Sequence, residues 1–192
     1  CFMINGLSYL AVIISLLAMQ VSIHVKVINK PSVIADLLSG LKYAYKSLPI
    51  RFLLVMEITT SLLGLPFQVF MPVFAREVLH GNSQTLGYLI GAIGAGALSG
   101  AVFLATRRNL NGIPFIIFIS ACMFSFGLMA FSVSSGLVVS LVLLLITGFG
   151  MVVEFASSNT LLQSMVDDQM RGRIVALYSM SFMGFTPLGS LM

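Results

Sequence analysis

Long runs of apolar residues make up most of the chain, and short polar segments separate them. A helix needs about 20 apolar residues to cross the roughly 30 Å hydrocarbon core of a bilayer. The runs lack the two-residue alternation of outer-membrane β-strands, so the pattern favours helices. It predicts an all-α membrane protein with about six transmembrane helices, at residues 2–23, 52–75, 84–105, 113–133, 137–162 and 174–192.

The composition supports lipid as the surrounding solvent. Of the 192 residues 58% are hydrophobic and 8% are charged, with a mean hydropathy of +1.06, whereas globular domains carry about 25% charged residues. Cys1 and Cys122 lie far apart, which gives neither a disulfide framework nor a metal-site spacing. The net charge of +4 is confined to short loops, so we expect it to set membrane topology and predict no nucleic-acid partner.

Lysine and arginine are concentrated in alternate loops. Nine of the ten basic residues fall in 24–51, 106–112 and 163–173, while the loop after the second run holds only Arg76. The positive-inside rule predicts that these three segments are cytoplasmic. Both ends of the chain lie inside apolar runs, which predicts a fragment of a longer protein.

An amphipathic stretch lies within the segment 24–51. Its apolar residues recur at helical spacing, whereas Asp36, Lys42 and Lys46 fall on another face. We expect a helix in the cytoplasmic membrane interface, with lysine heads reaching lipid phosphate. A helix that binds a protein partner is the alternative. The apolar positions are Ile34, Leu37, Leu38, Leu41, Tyr45 and Leu48.

The motifs of several enzyme classes are missing from the sequence. No glycine-rich phosphate loop is followed by lysine, and no nucleophile elbow or zinc-binding helix motif occurs. His24 and His80 fall on opposite sides of the predicted membrane, so they cannot share a metal. We therefore predict a protein that is not an enzyme and has no metal or cofactor.

Polar residues form stripes along two predicted spans. Residues three or four apart share one face of a helix, and polar groups in hydrocarbon turn toward a bundle interior or a hydrated cavity. Cavity lining is the functional interpretation, and helix–helix packing through small residues and hydrogen bonds is the alternative. The candidate cavity residues are Glu57, Thr60, Ser61 and Gln68 in the second span, and Glu154, Ser158 and Asn159 in the fifth.

Glu57 and Glu154 are the sharpest of these candidates. An ionisable residue inside a span costs several kcal/mol and marks a functional site by default. Both glutamates fall in the cytoplasmic half of their spans, at similar predicted depths, and both are candidate proton carriers. The alternative for Glu57 is an interfacial carboxylate that reaches headgroup water or a nearby cation.

Glycine and proline mark candidate packing sites and bends. Gly87 and Gly91, then Gly96 and Gly100, form two G-x-x-x-G spacings, which predict close helix packing. A substrate path along a glycine groove is the alternative. Prolines in the second and last spans permit kinks, either as hinges or as static bends. These prolines are Pro66, Pro72 and Pro187.

Two cytoplasmic loops carry candidate gating charges. Asp168, Arg171 and Arg173 form a mixed-charge turn between the fifth and sixth spans, and Arg107 and Arg108 follow the third. A solvated, topology-setting turn is the simpler interpretation. The functional interpretation is a cytoplasmic latch whose ion pairs break and re-form.

Three segments resemble major facilitator permeases. The stretch from Ala156 through Asp168-x-x-Arg171-Gly172-Arg173 to Tyr178-Ser179-Met180 and Pro187-Leu188-Gly189-Ser190 is similar to the tenth-to-eleventh helix region. Residues 5–9 resemble the start of the sixth helix, and residues 71–79 the end of the seventh. The closest likeness is to the exporter branch that includes enterobactin exporters and macrolide-efflux-like permeases.

The resemblance implies that the spans are helices six to eleven of a twelve-helix fold. Residues 1–23 would be the last helix of the N-terminal half, 24–51 the cytoplasmic inter-half loop, and 52–192 a truncated C-terminal half. Helices seven and ten would line the central cavity. In the loop after the third span Gly100, Arg107 and Arg108 match the family signature, but Leu104 stands near the expected aspartate.

The resemblance also implies a function. It predicts a multi-pass transporter of the bacterial cytoplasmic membrane that exports siderophore- or drug-like molecules by alternating access, with proton antiport. Its partners would be lipid, the small-molecule substrate, protons and the missing N-terminal half. A non-transporting assembly subunit and an integral membrane enzyme are the alternatives.

Overall fold

The computed structural model describes residues 2–18, 33–107 and 112–191, and within these ranges all regular secondary structure is helical. The first helix belongs to a compact unit of its own, separate from residues 33–192. The α-helices are α1 (Phe2–Ala18), α2 (Val33–Lys46), α3 (Leu48–Thr59), α4 (Phe67–Val73), α5 (Ser83–Ala105), α6 (Ile113–Ser132), α7 (Leu137–Met165) and α8 (Asp168–Ser190). Two π-helical segments, π1 (Thr60–Gly64) and π2 (Phe74–Val78), follow α3 and α4.

Four helical stretches are long and apolar enough to cross a membrane. They are Leu48–Val78, Ser83–Ala105, Ile113–Ser132 and Leu137–Met165. These confirm four of the predicted spans to within a few residues at most ends. The described part of α1 has 17 residues, and α8 begins with the charged turn that contains Asp168, Arg171 and Arg173. The first and last spans stay predictions.

The outer surface of these helices is apolar. Val138 of α7 is 74% exposed and Phe126 of α6 is 68% exposed, and many other large apolar side chains are similarly accessible. Exposed apolar patches of this extent mark a surface that another apolar phase covers. The distribution agrees with a bundle that faces lipid.

Helix α7 lies between α5 and α6, and glycines permit its close approach to both. A Cβ atom at Gly96 of α5 would overlap the carbonyl oxygen of Leu145 on α7. On the other side of α7, a Cβ at Gly150 would lie 2.7 Å from the carbonyl oxygen of Ser120 on α6. Small residues at such interfaces let helix backbones pack against each other.

The span Leu48–Val78 is interrupted where its prolines occur. Pro66 lacks an N–H, so the carbonyl of Leu62 loses its usual α-helical donor. Just before it, at the end of π1, the N–H of the capping residue Leu65 donates to the carbonyl of Thr60 at 3.0 Å, a bond that spans five residues. Pro72 lies inside α4, directly before π2. The prolines therefore coincide with changes in helix geometry, as expected for kinks.

Helix α8 packs along α3 and π1. A Cβ at Gly189 would overlap the carbonyl oxygen of Leu62 and would lie 2.6 Å from Cγ of Pro66. Gly189 therefore lies against the carbonyl of Leu62, which lacks its helical hydrogen-bond donor because residue 66 is proline.

Helix α2 docks on the start of α8 through one face. Asp36 forms an ion pair with Arg173, and the hydroxyl of Tyr43 donates to Oδ2 of Asp167 at 3.1 Å. Between them Gly40 lies against Leu177 and Arg173. These contacts join two loops that the charge pattern places on the same side of the membrane.

The opposite face of α2 is an exposed apolar stripe. It contains four residues of the predicted amphipathic pattern: Ile34, Leu38, Leu41 and Tyr45. The helix therefore has the predicted two-sided character, and its location in the lipid interface stays a prediction.

Candidate functional site

Two carboxylates lie deep in the bundle. Glu57, in the last turn of α3, and Glu154, in the C-terminal half of α7, are each 2% exposed. Taking an ionised carboxylate out of water carries a large free-energy penalty unless the charge is paired, hydrogen-bonded or neutralised. Burying two carboxylates in one apolar bundle therefore costs free energy, and helix packing alone does not require it.

Hydrogen bonds connect these acids to three different helical segments. The phenol of Tyr178 on α8 donates to Oε2 of Glu57 at 2.7 Å. The hydroxyl of Thr60 in π1 donates to Oε1 of Glu154 at 3.1 Å. The Tyr178 hydroxyl also lies 3.1 Å from the carbonyl oxygen of Phe155 on α7. We call Glu57, Thr60, Glu154 and Tyr178 the acid cluster.

The acid cluster has no cation among the residues that the structure describes. The ion pairs in the described ranges are Asp168–Arg171 and Asp36–Arg173, both involving the first turns of α8. Glu57 and Glu154 are close enough for their charges to interact. Two ionised carboxylates would repel each other there.

Buried hydroxyl groups surround the cluster. Ser61 follows Glu57 by one turn, and Ser157 follows Glu154 by three residues; both are buried, and neither hydroxyl has a hydrogen-bond partner within the described ranges. Ser158 is also buried, and its hydroxyl likewise has no hydrogen-bond partner within the described ranges. Such oxygens have lone pairs free for a water molecule or a bound cation.

An open groove of about 500 Å³ borders the cluster between π1 and α6. Thr60 contributes to its wall, together with Leu63, Phe124 and Met129. The lining is mostly apolar with a few hydroxyl groups. Thr60 therefore lies between the groove and the carboxylate of Glu154.

The structure brings together five of the seven predicted cavity residues: Glu57, Thr60, Ser61, Glu154 and Ser158. They lie within a helix interface. Gln68 lies beyond π1 and Pro66, and it is exposed. Asn159 is half-buried and accepts a 2.9 Å hydrogen bond from Nε2 of Gln163, outside the acid cluster.

The predicted packing glycines separate into two pairs. Gly96 and Gly100 face the backbone of α7. A Cβ at Gly87 or Gly91 would meet nothing within 4 Å in the described part of the chain. A packing role for this second pair stays a prediction.

The described gating charges take part in contacts other than those of the acid cluster. Arg107 stacks over the ring of Phe103, 5.6 Å from its centroid, and Arg108 lies outside the described residues. Asp168 and Arg171 form an exposed pair one turn apart at 2.7 Å. Arg173 instead reaches Asp36 on α2.

The sequence pattern did not identify Tyr178 as a member of the acid cluster. A signal was present, because Ile174, Tyr178 and Ser181 recur at helical spacing and are all buried. An aromatic residue with a polar tip on the inward face of a membrane helix usually hydrogen-bonds inside the bundle. The acceptor on α3, 121 residues away in sequence, could not be identified from that pattern.

Comparison with known proteins agrees with this arrangement of membrane helices. No curated protein and no solved structure matches the chain at a significant level. The sequence matches the transmembrane secretion effector family of major facilitator permeases over residues 1–192, its whole length. The chain belongs to that family.

Proposed function

We propose that this chain forms the C-terminal half of a secondary transporter that exports small molecules in exchange for protons. The acid cluster is the observation that carries the proposal. Glu57 and Glu154 are both 2% exposed, their charges interact, and the described residues supply no cation to neutralise them. In membrane proteins such buried acids mark ion pathways and proton relays.

Each residue of the cluster has a distinct role in this proposal. Glu57 and Glu154 take up and release protons as access alternates between the two sides of the membrane. Tyr178 and Thr60 donate hydrogen bonds that stabilise the ionised carboxylates. Repulsion between two ionised acids favours at least one bound proton in the closed bundle.

The movement is a rocking of this half against the N-terminal half around a site near the midplane. The ion pair Asp36–Arg173 and the hydrogen bond Tyr43–Asp167 hold the inter-half segment on α8. We propose that the cytoplasmic charges Arg107, Arg108, Asp168, Arg171 and Arg173 anchor and gate this end.

The substrate that fits this proposal is amphipathic, of siderophore- or drug-like size, and the membrane is the bacterial cytoplasmic membrane. The resemblance to exporters supports both points. The groove beside Thr60, mostly apolar with hydroxyl groups, is compatible with such a molecule.

Proton-coupled flux in everted vesicles tests the proposal. With the full-length protein, a panel of siderophores, macrolides and amphipathic dyes is added to vesicles that hold a proton gradient. We expect at least one compound to discharge the gradient, and Glu57→Gln or Glu154→Gln to abolish that discharge. Glu77→Gln is the matched control, since Glu77 is exposed in π2.

Two outcomes contradict the proposal in different ways. If both buried-acid variants couple normally, the carboxylates do not carry the protons. If the wild-type protein shows no substrate-dependent flux across the panel, transport itself is wrong, and a non-transporting assembly subunit becomes the better interpretation.

A further inference from the structure

The Tyr178 hydroxyl has one hydrogen and two acceptors. Its oxygen lies 2.7 Å from Oε2 of Glu57 on α3 and 3.1 Å from the carbonyl oxygen of Phe155 on α7. A phenol can donate only one strong hydrogen bond at a time, although its oxygen can also accept one. Tyr178 is 1% exposed, so bulk water does not supply a substitute partner.

The protonation state of Glu57 decides which acceptor receives the hydrogen. An ionised Glu57 only accepts, so it binds the phenol hydrogen in a charge-assisted bond. A protonated Glu57 carries its own hydrogen on a carboxyl oxygen and can donate it to the Tyr178 oxygen. The phenol hydrogen is then free to rotate about the Cζ–O bond toward the Phe155 carbonyl.

We propose that Tyr178 is a positioning residue that transmits proton binding at Glu57 to the backbone of α7. One proton from bulk water adds to the Glu57 carboxylate, and the only other change is a rotation of the phenol O–H. The hydrogen bond between Glu57 on α3 and Tyr178 on α8 persists, but Glu57 now donates it and Tyr178 accepts it. The link between α8 and α7 forms only in the protonated state.

The second acceptor, the carbonyl oxygen of Phe155, lies beside the other buried acid in the sequence of α7. Phe155 is adjacent to Glu154 in sequence, and its ring packs on that of Tyr178 with centroids 5.5 Å apart. A hydrogen bond that forms at the Phe155 carbonyl therefore acts beside the second carboxyl of the acid cluster. Proton occupancy of Glu57 and the packing of α7 against α8 become linked.

Few other charged groups can perturb this exchange. From α7 the titratable group that faces Tyr178 is Glu154, and from α3 it is Glu57. The basic residue of α8 closest to Tyr178 in sequence is Arg173, which pairs with Asp36 of α2. Within the described ranges, α5 and α6 bring no charged side chain to the cluster.

The assignment of Glu57 as a transported-proton site rests on the proposed function, whereas the bond exchange does not. The test is therefore spectroscopic. Infrared difference spectra of the purified full-length protein are recorded across a pH titration. The Glu57 carboxyl band is identified by its loss in Glu57→Gln, and the Tyr178 phenol band by its loss in Tyr178→Phe.

We expect the phenol band to shift in the wild-type protein with the same pH midpoint as the Glu57 carboxyl band. In Glu57→Gln the phenol shift should disappear, because no proton is taken up at position 57. Glu57→Gln keeps the phenol, and isotope labelling of the tyrosine rings identifies the phenol bands independently, so the test holds even if Tyr178→Phe does not fold. Tyr88→Phe is the control, since Tyr88 is 52% exposed and accepts a hydrogen bond from Gln84.

A phenol band that stays constant while Glu57 titrates would overturn the proposal, as would a phenol shift that survives in Glu57→Gln. Either result leaves the proton-transport proposal standing. Conversely, a chain that exports without moving protons removes the transport role of Glu57 but leaves the exchange measurable.

Discussion

Gly96 of α5 lies directly against the backbone carbonyl of Leu145 on α7, with no room for a Cβ atom between them. The contact has a counterpart on the other helix, where a Cβ at Gly148 would overlap the carbonyl oxygen of Ile93. Two glycines, one from each helix, therefore set the separation of α5 and α7.

Gly96→Ala should destabilise the protein. The added methyl group would meet backbone atoms, which cannot rotate away, so α5 and α7 must move apart. Overpacking of this kind costs about 1–3 kcal/mol. The thermal midpoint of the purified full-length protein, followed by loss of monodispersity in detergent, measures the effect. Gly94→Ala is the matched control on the same helix, because a Cβ there would meet nothing within 4 Å.

Thr60→Val should weaken proton-coupled export. The substitution keeps the shape of the side chain and removes the donor to Oε1 of Glu154. Hydrogen bonds to charged groups contribute about 1.5–3 kcal/mol, so we expect a loss of coupled flux of roughly ten- to a hundredfold. Thr59→Val is the control, since that hydroxyl bonds to the carbonyl of Val55 in its own helix. Equal flux in the two variants would show that the Thr60 bond has no role.

Asp36→Ala and Arg173→Ala should each loosen α2 from α8. The pair is about one-third exposed on both sides, so we expect a modest coupling energy of about 0.5–1 kcal/mol in a double-mutant cycle. Amide hydrogen exchange over residues 33–46 reports the docking. The charge-swapped double variant, Asp36→Arg with Arg173→Asp, should restore protection. Arg171→Ala should leave α2 unchanged, because Arg171 pairs within its own helix.

Gly189→Ala should disturb the contact between α8 and the kinked span. Its Cβ would overlap the Leu62 carbonyl oxygen and press on the ring of Pro66. We expect a loss of about 1–3 kcal/mol in stability. Gly184→Ala, on the same helix, would meet nothing within 4 Å and should be neutral or slightly stabilising. Indistinguishable melting curves for the two variants would contradict the role of Gly189 as a spacer between α8 and the span.

Hydropathy alone located most of the helices. The predicted spans 84–105 and 113–133 coincide with Ser83–Ala105 and Ile113–Ser132 to within one residue, because Asn82 and Gly112 stop the apolar runs where the helices begin. Helical spacing also identified Glu57 and Glu154 as inward-facing. The helix bounds and the inward orientation of these two glutamates depend on the local sequence, so they can be predicted from it.

The pairing of residues across helices was not predictable in the same way. Gly87 and Gly91 have the same spacing as Gly96 and Gly100, yet only the second pair lies against α7. Likewise, periodicity placed Asp36 on the polar face of α2, but Arg173 as its partner depends on how α2 docks. Spacing defines a face of a helix, whereas the neighbour of that face is decided by tertiary packing.

The segment π1 also changes the angular phase of the span Leu48–Val78. An α-helix advances about 100° per residue, and a π turn closes its hydrogen bonds over five residues instead of four. Side chains beyond it are therefore rotated about the axis relative to an uninterrupted helix. Glu57 and Ser61 face inward while Gln68, on the same stripe in sequence, is exposed. The loss of a single residue within Thr60–Gly64 would rotate the rest of the span as a unit by about 100°, so a one-residue deletion there would turn part of its bundle-facing side toward lipid.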